Sequence, residues 1–144
     1  MKTNRLLLMG IVLLVALAFV GVASACEYGC TPGYWKNHPE EWRCLDPDQV
    51  MNPPNADLND DGELDTFMDA LNYKGGSGDI GAERILLRAG VAAYLNECAF
   101  ADFPDAWEEE FFGYLDNPLE QRGNMLNLAG ELDSLNNGVC EFRG

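Results

Sequence analysis

Apolar residues return every three or four positions along most of the second half of the chain, the spacing of helices with one buried face. The clearest series starts after Asp79, read as an N-cap, and runs "IGAERILLRAGVAAYLNECAF". Ile85, Ala89, Ala92 and Leu95 form one stripe there, with Leu86 beside it. Pro104 then opens a second helix, whose Trp107, Phe111, Tyr114 and Leu115 share a side opposite Glu108, Glu109 and Glu110. A third lies in "PLEQRGNMLNLAGELDSLNNG", where Met125, Leu128, Leu132 and Leu135 repeat before an Asn137–Gly138 stop. A shorter one follows Gly62, with Leu64, Phe67, Met68 and Leu71 at helical spacing, and ends before "YKGGSG".

No run alternates as a strand does. The pattern predicts a mainly α fold: a compact bundle of about four helices over 63–138, with an irregular, disulfide-braced segment at 26–56 and an acidic loop at 57–69 between them. The irregular part is rich in Pro, Gly, Tyr and Trp, and reads as turns and short helical pieces. "NPPNA" keeps any helix from running into the acidic loop, because neither proline donates a backbone hydrogen bond.

The first 25 residues follow another rule. Lys2 and Arg5 precede the unbroken run "LLLMGIVLLVALAFVGV", which ends at Ala23-Ser24-Ala25, the form of a signal peptide with its cleavage site. The run is near the ~20 residues of a membrane span, but the A-x-A triplet decides for cleavage. The mature chain is then one small domain, 26–144, with no transmembrane span.

Cleavage also exposes the chain's acidity. Without Lys2 and Arg5, seven Lys and Arg stand against 24 Asp and Glu, a formal charge of 7 minus 24, or −17. That balance argues against nucleic acid or anionic membrane as a partner, since either would be repelled, and favours cations. Export makes the cysteines at 30, 44, 98 and 140 disulfide candidates with three connectivities open. Cys26, the fifth, stands where lipid is attached to exported proteins, although "VASA" is a poor lead-in. The expected location is outside the cell, free or anchored at the outer face of its membrane.

The candidate cofactor is calcium. In "DLNDDGELDTFMD", Asp57, Asn59 and Asp61 occupy the first, third and fifth places of an EF-hand loop, Gly62 the sixth, Glu63 the seventh and Asp65 the ninth. Alternate side chains aim oxygens at one centre, the glycine permits the sharp turn, and Glu63 need lend only its carbonyl. The twelfth place, which needs a carboxylate, holds Met68. Asp69 comes one residue later and shares a helix face with Asp65, so either could close the site. Without an entering helix the loop resembles the half EF-hands of dockerin modules, which implies modest affinity. An acidic turn capping a helix would explain Asp61 and Gly62 but not the alternation before them.

"CTPGYWKNHPEEW" carries the other resemblance. It is similar to the "TPGYWKNHPEAW" domain of exported prokaryotic proteins, a family without an established activity. "GDIGAERILLRAGVAAYLN" and "LAGELDSLNNGVC" resemble that family's later blocks, so the likeness spans Cys30 to Cys140. The acidic loop departs from the family's pattern and stands alone. Tyr34, Trp35, His38 and Trp42 form a candidate ligand platform for sugar rings, weighed against burial as core. His38, the one histidine, reads as a structural hydrogen-bonding residue, since no second histidine completes a zinc site or triad. We pair Cys30 with Cys140 and Cys44 with Cys98.

No nucleophile or phosphate-loop motif is present, so catalysis is not implied. The sequence thus predicts a non-catalytic structural or adhesive module with one calcium ion and an extracellular protein or polysaccharide as partner. Two alternatives stay open: a small extracellular hydrolase of polymer using paired carboxylates near Trp35 and Trp42, and a dockerin-like module binding a surface scaffold.

Overall fold

The computed structural model describes residues 28–142 except Pro53 and Asn55, so the leader and Cys26 lie outside the described residues. Among the described residues five helices follow in order: α1 Pro32–Asn37, α2 Phe67–Asn72, α3 Gly78–Ala99, α4 Glu108–Asp116 and α5 Arg122–Asn136, with a 3-10 turn at Pro39–Glu41. Extended pairing among the described residues is limited to two isolated bridges, Tyr28 with Val139 and Val50 with Thr66. The mainly α bundle is the architecture its periodicity predicts. α1 is one of the short helical pieces of the irregular segment, started by Pro32 and by Thr31, whose hydroxyl accepts from the Tyr34 N–H at 3.2 Å.

α3 is the axis of the fold. Ala82, Leu86, Leu87, Ala89, Val91, Ala92, Ala93 and Leu95 are all buried on it, so its apolar positions run nearly around the helix. The other four helices cover it, α5 most extensively. Gly90 lets α4 close in, because a Cβ there would stand 2.1 Å from the Phe111 ring.

The helix starts differ from expectation for local reasons. Asp79 sits in the first turn of α3 and Ser77 precedes the helix as its cap residue; the Asp79 carboxylate instead accepts from the Glu120 N–H at 3.2 Å. α2 begins at Phe67, not directly after Gly62, and leaves Leu64 exposed in the loop. α4 begins at Glu108, since the Pro104 carbonyl accepts from the Trp107 indole N–H at 2.8 Å and the chain turns first.

Both predicted disulfides are present, Cys30–Cys140 and Cys44–Cys98. Disulfides of this kind belong to an oxidising compartment. No helix among the described residues is long and apolar enough to cross a membrane.

A buried polar network joins the first bridge to the bundle. Asn96 Oδ1 accepts from the Cys30 N–H at 2.7 Å and from the Trp35 indole N–H at 3.0 Å. Its Nδ2 donates to the Cys30 carbonyl at 2.9 Å and to Asn136 Oδ1 at 2.8 Å, while Asn136 Nδ2 donates to the Ala89 carbonyl at 3.0 Å. Both asparagines have no exposed surface. One amide on α3 thereby fixes the N-terminal segment, α1 and α5 together.

Glu83 is a buried acid on the same helix, and burial raises its carboxyl pKa above the usual carboxylate range. An acid with a raised folded-state pKa is costly when ionised, and that cost falls as pH drops through the folded value. Glu83→Gln is therefore expected to raise the melting temperature at pH 7. The gain should shrink toward zero below the pKa of an unperturbed glutamate, as thermal melts across pH would show.

Candidate functional site

The acidic loop is a closed turn built onto α3. Residues 47–51 run alongside 65–68, with the Met51 N–H donating to the Asp65 carbonyl and the Phe67 N–H to the Gln49 carbonyl, at 3.0 and 3.1 Å. Among the described residues no helix enters the loop. The loop is pinched shut where the Asp65 N–H reaches the Ala56 carbonyl at 3.0 Å and the Asp65 carboxylate accepts from the Leu58 N–H. From α3, Arg84 holds the Leu58 carbonyl, with Nε at 2.6 Å and Nη2 as a second donor.

Within the turn, the first half of the predicted site comes together. Asp57 accepts from the Asp61 and Gly62 N–H groups at 3.1 and 2.8 Å, and Asn59 Oδ1 from the Asp61 N–H at 3.0 Å. Asp61 accepts from the Glu63 N–H at 3.0 Å and from Asn59 Nδ2 at 2.9 Å. Asp60 and Gly62 both adopt left-handed backbone, φ 65° and 92°, which curls the chain around these oxygens. Left-handed backbone suits glycine and is tolerated by Asp.

The second half is placed differently. Asp65 is only 1% exposed and turned into the fold, one oxygen on the Leu58 N–H and the other buried with no hydrogen-bond partner among the described residues. Tyr73 lies close by: burial, and then the Asp65 carboxylate, push its hydroxyl pKa well up, so the phenol stays protonated. Asp69 is occupied at the start of α2, where Oδ2 accepts from the Thr66 N–H at 2.8 Å and from the Thr66 hydroxyl at 2.7 Å. Thr66 Oγ1 accepts in return from the Asp69 N–H at 3.2 Å, which completes a capping box. The pattern Thr66-x-x-Asp69 was the sequence signal for that role.

As an ion site the loop therefore fits in part. Asp57, Asn59, Asp61 and the Glu63 carbonyl are oxygen donors of the kind calcium takes, whereas Asp69 is committed elsewhere and Asp65 serves as an internal clasp. As they stand, no three Asp, Glu, His or Cys side chains among the described residues group tightly enough to hold a metal ion. Beside the loop opens a cavity of about 290 Å³, lined by Asn59, Asp69, Asn72, Tyr73, Lys74 and Arg84.

Of the candidate aromatic platform, Trp35 is packed inside, while Tyr34 and Trp42 are partly buried. Trp35 is 1% exposed, and the part-buried Trp42 donates its indole N–H to the Trp35 carbonyl at 3.0 Å. The Tyr34 ring stacks on His38 at 4.3 Å and on Phe142 at 6.3 Å. His38 Nδ1 stands 3.2 Å from Glu40, an exposed pair on the molecule's rim.

Set against family models, curated proteins and solved structures, the chain finds no match in any of the three. The resemblance to the "TPGYWKNHPEAW" domain accordingly rests on the three quoted motifs.

Proposed function

We propose that this is an exported, non-catalytic structural or adhesive module of the cell surface or the space outside it, braced by two disulfides and by weak calcium binding in the acidic loop. The observation that carries the calcium part is the convergence of Asp57, Asn59 and Asp61 on one turn with left-handed backbone at Asp60 and Gly62. Those three side chains and the Glu63 carbonyl would hold the ion, with water completing its six to eight oxygens. The ion would offset repulsion among carboxylates that the turn forces together. The amide of Asn59 would have to release Asp61 to contribute fully, which keeps the affinity low. The signal peptide reading and the disulfides support export.

The hydrolase reading has less behind it. It needs a polymer platform around Trp35 and Trp42, and Trp35 is buried. Binding of a surface scaffold through the acidic loop stays compatible with the proposal, because the loop is exposed from Asn59 to Leu64.

The test is a thermal melt of oxidised protein with and without calcium. At a dissociation constant of about 0.1–1 mM, calcium at about 10 mM should add about 1.4–2.7 kcal/mol, a rise of several degrees. Asp57→Ala should abolish the rise while leaving the calcium-free melting temperature close to that of the parent. An unchanged melting temperature in calcium would overturn the calcium part of the proposal.

A further inference from the structure

Most of the molecule is acidic, yet four of its cations line two adjoining recesses. Of the seven Lys and Arg after residue 25, Lys36, Lys74 and Arg88 line a single groove of about 600 Å³, and Arg84 lines the adjoining cavity that shares Asn72, Tyr73 and Lys74 with it. These cations come from three separate parts of the chain: α1, the segment after α2, and α3.

The groove is equipped for more than charge. Arg88 Nη1 donates to the Tyr73 carbonyl at 3.2 Å, and Asp133 across the groove holds an attractive partner charge near it, so this guanidinium is held in place. Lys36 and Lys74 are exposed, and among the described residues neither has a hydrogen bond or ion pair. The amide nitrogens of Asn72 and Asn137 donate to the Met68 and Asp133 carbonyls at 2.8 and 2.6 Å, and among the described residues no donor takes either amide oxygen, which can therefore accept. The Thr31 hydroxyl accepts from the Tyr34 N–H and keeps its own proton to donate. Two exposed ammonium groups, two acceptors and a hydroxyl donor therefore line one recess.

We infer that this groove binds a carboxylate-bearing sugar, a uronate residue within an otherwise neutral glycan, with Lys36 and Lys74 on the carboxylate and Asn72, Asn137 and Thr31 on the ring hydroxyls. A bare inorganic anion would use the lysines and leave the acceptors unmatched. A dense polyanion would meet the repulsion of the −17 chain before it reached the groove. A sparse anion escapes most of that repulsion, because screening confines the field of the distant acids to about 8–10 Å. The inference takes from the proposed function only its setting outside the cell, and it uses no residue of the turn from Asp57 to Gly62.

The experiment is an NMR titration of isotopically labelled, oxidised full mature chain with glucuronate, with glucose and sulfate as parallel arms. Glucuronate should shift the amides of Thr31, Asn72 and Asn137 saturably in the millimolar range, and glucose or sulfate should bind at least about tenfold more weakly, a difference of about 1.4 kcal/mol. Lys36→Glu combined with Lys74→Glu should remove the glucuronate response; both sites are exposed, and an unchanged backbone spectrum would confirm the fold. Asp57→Ala should lose the calcium response and keep glucuronate binding, so the two readings fail separately. Equal binding of sulfate, binding that survives the double lysine change, or no saturable shift would each overturn the inference. Concentration-dependent self-association lost in that double variant, without a glucuronate response, would assign the groove to a second copy of the chain instead.

Discussion

Asn96→Leu is expected to cost the oxidised protein about 4 kcal/mol of stability, read as a lower urea midpoint with an unchanged slope. Leucine keeps the branched shape but is bulkier, so the loss would come from the lost polar partners with some overpacking added. The change strands the Cys30 N–H, the Trp35 indole N–H, the Cys30 carbonyl and Asn136 Oδ1 in the interior, and each orphaned group costs roughly 1–3 kcal/mol. These costs do not simply add, since the neighbours share one network. Asn136→Leu removes only two of the bonds and should cost less. Asn96→Asp is the sharper control: a carboxylate still accepts from Cys30 and Trp35 but cannot donate to the Cys30 carbonyl or Asn136. An Asn96→Leu protein within about 1 kcal/mol of the parent would show that the network is not a stabilising hub.

The second large effect concerns the bridge that the network holds. Replacing Cys30 and Cys140 by alanine opens a loop with a sequence separation of 110, for which chain entropy predicts a loss of about 4–5 kcal/mol. Opening Cys44–Cys98, separation 54, should cost only slightly less on that ground, because the cost grows with the logarithm of loop length. The two pairs should nevertheless differ. Cys30 is fully buried and both its backbone groups bond Asn96, whereas Cys44 is exposed. Loss of the first bridge should therefore couple to Asn96→Leu in a double-mutant cycle, and loss of the second should not. Since small domains hold about 5–15 kcal/mol in total, full reduction is expected to leave the chain unfolded near ambient temperature. A reduced protein with a sharp, high melting transition would contradict this.

What the sequence reveals about this molecule depends on how local each feature is. α3 to α5 are legible because their apolar spacing is a property of neighbouring residues. Their first turns are less so, since Asp79 and Pro104 serve partners outside the expected cap positions. The acidic turn is half legible: the alternation of Asp57, Asn59 and Asp61 is local, while the roles of Asp65 and Asp69 depend on Leu58, Tyr73 and Thr66. The Asn96–Asn136 network carries almost no local signal, as an asparagine near a helix end looks like any surface residue. The cationic groove carries none at all. Lys36, Lys74 and Arg88 meet only because α1, α2 and α3 pack together.

Tyr28 pairs with Val139, the Gly29 N–H bonds the Val139 carbonyl at 3.1 Å, and Cys30 is joined to Cys140 directly behind them. Tension applied through the chain on either side would enter at residue 28, cross a covalent sulfur link and leave at residue 142. The helices, the groove and the acidic turn all sit outside that load path, so a pull strong enough to unravel an unbridged bundle would leave this one folded.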